Sequence, residues 1–126
     1  MDRWLGRYQE PLYSIMRLIV GLLFAFHGMQ KLFGAFGGHQ MLANPKMLLA
    51  GIIEICGLLV AVGLFASWAA FVASGEMAVA YFTAHATGGL FPIVNKGELA
   101  VVYGFLFLFV AAHGAGRYSL RGAIRR

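Results

Sequence analysis

The sequence predicts an all-α integral membrane protein, a four-helix bundle with both termini in the cytoplasm. Three observations carry that expectation. The 126 residues are 60% hydrophobic and only 12% charged, about half the charged fraction of an ordinary soluble domain. Four segments are mostly apolar over roughly the 20 residues needed to cross a hydrocarbon core. The cationic residues cluster on one side of those segments. Helices satisfy their own backbone groups in lipid, so helices are the expected form of each segment. The length allows one unit, and the whole of 1–126 is expected as a single transmembrane domain.

The first span is expected at 12–33, LYSIMRLIVGLLFAFHGMQKLF. The second is expected at 47–65 and the third at 68–86, with only Ala66 and Ser67 between them, so this pair forms a tight antiparallel hairpin. The fourth, ELAVVYGFLFLFVAAHG, is expected at 98–114. Aqueous backbone is then confined to the ends and to two loops, 34–46 and 87–97. Arg3, Arg7 and Arg17 precede or open the first span, and Arg117, Arg121, Arg125 and Arg126 follow the fourth. Lys31, Lys46 and Lys96 fall on the other side. This asymmetry places both termini in the cytoplasm by the positive-inside rule. The net charge of +5 therefore reflects orientation in a bilayer and does not indicate nucleic-acid binding. The basic tail GRYSLRGAIRR is suited to lie against anionic lipid. The first apolar run is too long for a cleavable signal, and no small-residue cleavage site follows it. Cys56 is the only cysteine. An internal disulfide is excluded, and with it disulfide-to-quinone electron transfer within this chain.

Ionisable residues at membrane depth mark the candidate site, since each costs at least about 2.5 kcal/mol to insert. With the first and third spans running outward, His27, Gln30 and Lys31 lie in the outer third of span one. Glu54 lies about 10 Å below the outer end of span two. His85 closes span three, Glu98 opens span four at the same level, and Asn95 and Lys96 are adjacent in the loop. Helical phase sorts these groups into faces. Arg17, Gly21, Phe24, Gly28 and Lys31 form one stripe, with His27 on its flank. Ala50, Gly51, Glu54, Gly57 and Ala61 share a face, small residues around a buried acid, as close packing in lipid requires. Glu98, Val102, Phe105, Phe109 and Ala112 align in span four. Glu76 aligns with Ala69, Ala80 and Thr83, whereas Tyr81 and His85 lie on another face.

The expected pocket therefore collects Lys31, Glu54 and Glu98, together with His27 or His85. Glu54, His85 and Glu98 are the candidates for proton exchange, and His27, Lys31, Tyr81 and Asn95 are the candidate ligand contacts. Glu76 is expected to pair with Arg17 nearer the cytoplasmic face, as a structural ion pair that sets helix register. His113 is expected to pack near the cytoplasmic face, and His39 to lie exposed in a Gly-rich loop. No metal is predicted. The Glu-x-x-His spacing of di-iron bundles is absent, and His27 and His113 lie at different depths, which makes them a poor pair for haem.

The chain resembles the DoxX family of small four-span bacterial membrane proteins over nearly its whole length. The resemblance is carried by RLIVGLLFAFHGMQKLF from Arg17, GIIEICGLLVAVGLF from Gly51, GEMAVAYFTAHA from Gly75, PIVNKGELAVVY from Pro92 and GAGRYSL from Gly114. The recurring polar positions of that family would map to Arg17, Lys31, Glu54, Glu76, His85, Asn95 and Glu98. Arg121 departs from the pattern, since relatives often carry an acid after Ser-Leu. The resemblance implies a bacterial inner (plasma) membrane location. Some members are associated with thiosulfate:quinone oxidoreductase and others with redox-related membrane complexes.

Three functions suit these features. A quinone-linked redox subunit would use Phe24, Phe105 and Tyr81 as apolar walls. Glu54 and Glu98 would relay protons, and His85 or Lys31 would donate to a carbonyl oxygen. Its electrons would come from a partner redox subunit. A non-catalytic accessory, scaffold or assembly subunit of a membrane complex would use the buried charges for packing. A transporter for a proton or small anion would require a homo-oligomer, because one unit lacks an inverted repeat of broken helices. In every case the bilayer is the first partner.

Overall fold

The computed structural model describes residues 1–35, 37–38 and 43–125, the side chain of Arg125 excepted. His39 and Arg126 lie outside the described residues. Among the described residues there are helices and turns and no strand. Helix α1, Asp2–Leu5, leads through a 3-10 turn at Gly6–Tyr8 into the long α2, Gln9–Phe33. Gly34 caps α2 in the left-handed region at φ 69°, which only glycine reaches without strain. Helix α3, Pro45–Ile55, opens with Asn44 accepting from the amides of Lys46 and Met47 and with proline in its first turn. A break at Cys56 separates α3 from α4, Gly57–Val62.

The reversal between the second and third helical segments falls at 63–65, not at Ala66 and Ser67 as expected. Gly63 adopts φ 76° and closes α4 with bonds to Leu59 O and Val60 O. Phe65 follows at φ 52°, also left-handed. Helix α5, Ala66–Ala80, then continues as a π-helical turn, Tyr81–His85, and a 3-10 turn, Ala86–Gly88. Helix α6, Pro92–Asn95, lies inside the segment expected as an aqueous loop. The last elements are α7, Glu98–His113, and the basic α8, Leu120–Arg125.

Helix α2 lies along α3 and α4, and α5 lies along α7. The first contact is backbone against backbone. A Cβ placed on Gly21 would come within 2.5 Å of Gly57 O, and one on Gly28 within 2.7 Å of Gly51 O. One core joins the two pairs: Val20 and Phe24 of α2, Val60 of α4, Ala70 and Met77 of α5, and Phe107 of α7. Phe24 sits at its centre, 1% exposed, with its ring 4.7 Å from Phe107 and 5.6 Å from Tyr103.

The outward faces are also apolar. Leu12, Ile15, Ile19 and Leu23 of α2 are exposed, as are Phe71 and Val79 of α5 and Phe105 and Leu108 of α7. The segments Asp2–Phe33 and Pro45–Val62 are long and apolar enough to cross a membrane. Only 39% and 28% of their apolar windows are buried, so most of that surface is left for a non-aqueous neighbour. Helix α7 is a shorter apolar helix.

Arg17 corrects the expected ion pair with Glu76. Its guanidinium, 2% exposed, donates through Nη1 to Val60 O at 2.7 Å and Ala61 O at 2.9 Å, and through Nη2 to Tyr118 O at 2.8 Å. Two of these carbonyls lie at the C-terminal end of α4, where the helix dipole presents negative charge, and Val60 O also accepts from the Gly63 amide. The two terminal nitrogens of the guanidinium thus bond carbonyls and no carboxylate, while Nε is buried without a hydrogen-bond partner. Nearby, Tyr13 Oη donates to Gly114 O at 2.8 Å, and His113 Nε2 lies 3.4 Å from Glu10 Oε1. The start of α2 thus holds the chain that follows α7.

Replacing Gly21 with valine should cost about 3 kcal/mol or abolish folding, because the added atoms meet the rigid α4 backbone. Gly75→Ala, where a Cβ meets nothing within 4 Å, should unfold at or above the wild-type midpoint in the same detergent titration.

Candidate functional site

The close approach of α2 to α3 creates the site. Gly28 lets the α3 backbone press against α2, and this brings the last turns of both helices together. Lys31 Nζ donates to Glu54 Oε1 at 2.7 Å. The Glu54 side chain is 4% exposed and that of Lys31 24%, so the pair is buried on the acid side and open on the amine side. Oε2 of Glu54 is buried without a hydrogen-bond partner, and so is Oε2 of Glu76.

These groups face a cavity of about 340 Å³. Its polar lining comes from His27 and Lys31 of α2, Glu54 of α3, Glu76 of α5, His85 of the π turn, Lys96 and Tyr103. Phe24, Met77, Leu99 and Ala100 are among its apolar walls. The His27 ring stands edge-on to Tyr103, centroids 6.4 Å apart at 87°. His85 Nδ1 lies 3.3 Å from Asn95 O. An acceptor pair without donors, an ammonium and two imidazoles around a partly apolar space suit a ligand head that donates and accepts hydrogen bonds.

Of the expected residues, the structure brings His27, Lys31, Glu54 and His85 to this cavity and leaves three outside it. Glu98 is exposed in the first turn of α7. The whole face assigned from it was the wrong one, since Val102, Phe105, Phe109 and Ala112 are exposed while Ala100, Tyr103, Phe107 and Val110 are buried. Phe105, an expected wall, is 70% exposed. Asn95 and Tyr81 serve the loop. Asn95 Nδ2 donates to Tyr81 Oη at 3.2 Å and to Gly89 O at 3.0 Å, and Asn95 Oδ1 accepts from the Gly97 amide at 2.8 Å. With both ends of its side chain committed, Asn95 positions the 88–97 segment and the carbonyl beside His85.

Glu76, Lys96 and Tyr103 are the polar cavity residues that the sequence did not assign to it. The stripe Ala100, Tyr103, Phe107, Val110 has helical spacing and was available in the sequence; a lone acid at the helix start outweighed it. His85, expected on a different face from Glu76, shares its cavity because the π turn changes the winding of the helix before His85. Among the described residues, no group of three His, Cys, Asp or Glu side chains is placed to hold a metal ion.

The sequence model of the DoxX family matches residues 12–86. The chain belongs to the DoxX family. That match contains α3, α4 and α5 and most of α2, and therefore Lys31, Glu54, Glu76 and His85. A Haemophilus influenzae protein described as an uncharacterized protein is 40% identical over 124 residues, covering 92% of each chain. No solved structure matches. Membership makes this a membrane protein, in agreement with the apolar, outward-facing helices.

Lys31→Met leaves Glu54 buried without its counter-charge and should cost about 3–5 kcal/mol. Adding Glu54→Leu should recover most of that loss, measured as unfolding midpoints of the two single variants and the double variant.

Proposed function

We propose that this DoxX protein crosses the bacterial inner membrane four times, near 12–33, 47–65, 68–86 and 98–114, as a bundle with both termini cytoplasmic. The arginine-rich ends support this orientation. We further infer that the cavity receives the head of a quinone or quinol, making the chain a quinone-linked redox subunit.

The observation that carries this reading is the pair of buried, unpartnered carboxylate oxygens, Glu54 Oε2 and Glu76 Oε2, beside the Lys31 ammonium. Buried acceptors without donors are costly, and a ligand that supplies O–H groups offsets that cost. A quinol has two such groups; the oxidised form has two carbonyls, to which Lys31, His27 or His85 can donate. Glu54 and Glu76 accept the protons released on oxidation, and His85, next to the loop, passes them toward water. Phe24 and Tyr103 wall the head. Electrons pass to or from a partner redox subunit, and the chemistry the quinone supplies is two-electron, two-proton exchange.

Glu54→Gln should weaken binding of decylubiquinol in lipid nanodiscs at least tenfold in protein that still folds, since the amide removes one acceptor while keeping the shape. Its unfolding midpoint should be lowered, because Lys31 loses its counter-charge. Undiminished binding with the fold intact removes Glu54 from the site. Failure of the wild type to bind either redox form favours the accessory-subunit function, with the buried charges serving packing alone.

A further inference from the structure

A second cavity, also about 340 Å³, lies between α3 and α5 and shares Lys31, Met47, Glu76, Ala80 and Ala84 with the first. Its remaining wall is small or apolar, including Ala50, Ile53, Gly75 and Val79, and Lys46 stands among the lining residues. Leu49 and Val79, on its flanks, are 59% and 56% exposed. The groove therefore runs from an apolar outer surface to Lys31 and Glu76 of the polar cavity.

We propose that this groove is the passage by which a lipid-embedded ligand reaches the cavity, its apolar chain lying between α3 and α5 while its head sits at Glu54 and Glu76. The proposal rests on the quinone reading and extends it to the substrate class: a chain-bearing amphiphile drawn from the bilayer, not a water-borne solute.

The seams of the fold support this choice. Helices α3 and α5 meet over a short stretch, whereas α5 and α7 pack along their lengths. The α5–α7 seam is also pinned by Ser74 Oγ donating to Gly104 O at 2.7 Å. The crevice on that side, about 400 Å³, shares with the polar cavity only Met77 and Ala100, both 8% exposed. On the α3 side the lining includes the small residues Ala50, Gly75, Ala80 and Ala84 beside Met47, Ile53 and Val79, and the small ones leave space between the helices. Groove lining offers little extra affinity in a membrane, because lipid chains are as apolar as the protein surface. What the groove provides is a path that spares the chain any exposure to water, and its signature is kinetic.

Gly75 allows a clean test, since a Cβ there meets nothing within 4 Å and a large side chain can enter the groove without displacing the backbone. Gly104 is the matched control on the α5–α7 side, where the nearest atom to a Cβ is Met77 Cβ at 3.8 Å. The full chain in nanodiscs is photolabelled over time with an azidoquinone bearing a ten-carbon chain, and separately with its methyl counterpart. Unfolding midpoints establish that both variants are folded.

Gly75→Phe should slow cavity labelling by the chained probe about tenfold while leaving the methyl probe and Gly104→Phe at wild-type rates, the behaviour of a blocked path. Wild-type rates for the chained probe in Gly75→Phe overturn the proposal, as does slowing confined to Gly104→Phe. Equal slowing of both probes makes Gly75 part of the head site and overturns it as well. A phospholipid that co-purifies with the wild type and is lost in Gly75→Phe, with labelling rates unchanged, reduces the groove to a lipid seat. Absence of cavity labelling in the wild type by either probe defeats the quinone reading itself.

Discussion

The structure depends on one backbone contact: α2 touches α3 and α4 through glycine. In lipid, helices gain little by hiding apolar surface from one another, so close van der Waals packing must hold them together. Gly21 meets Gly57 and Gly28 meets Gly51, two steps along a single stripe of α2. The stripe begins with Arg17 and ends with Lys31. At one end the short helix separation lets a guanidinium reach the terminal carbonyls of α4. At the other it sets an ammonium 2.7 Å from Glu54. A larger residue at either glycine would push both polar contacts out of reach together, so packing and electrostatics here form one unit.

The rest of the molecule is less uniform. Ala66, Ala70 and Ala73 give α5 a smooth buried edge, which α7 meets with Tyr103, Phe107 and Val110. The far side of α5 carries Gly75 and Glu76 toward a loosely filled gap. The winding of α5 changes at Tyr81–His85, close to the loop that Asn95 organises. The polar cavity, irregular winding and sparse packing thus coincide on one side of one helix, while the opposite side packs along α7.

The helical class and the α2 stripe were legible in the sequence because spacing, small residues and charge pointed the same way. Lys31, Glu54 and the glycines lie on the predicted faces. Where signals conflicted, the sequence was less informative. Glu98 attracted the assignment of the α7 face because it was the sole acid on a helix apolar all round, and a helix of that kind carries almost no phase information. Opposite charge and a shared depth match Glu76 to Arg17, and nothing in the residue pattern reveals that the carbonyls of Val60 and Ala61 accept from the guanidinium instead. The π turn changes winding without a distinctive residue, which hid the approach of His85 to Glu76.

Arg17 also imposes an order on biosynthesis. Chains are made from the N-terminus onward, so Arg17 is present well before the groups that satisfy it. Its first acceptors, Val60 O and Ala61 O, follow 43 and 44 residues later, and Tyr118 O follows 101 residues later. A lone arginine within a span costs about 2.5–3.5 kcal/mol at membrane depth. The first helix therefore remains an incomplete element throughout translation of the next two, and its last hydrogen bond forms only when the segment beyond α7 returns to it. An earlier part of the nascent chain is finished by a much later one.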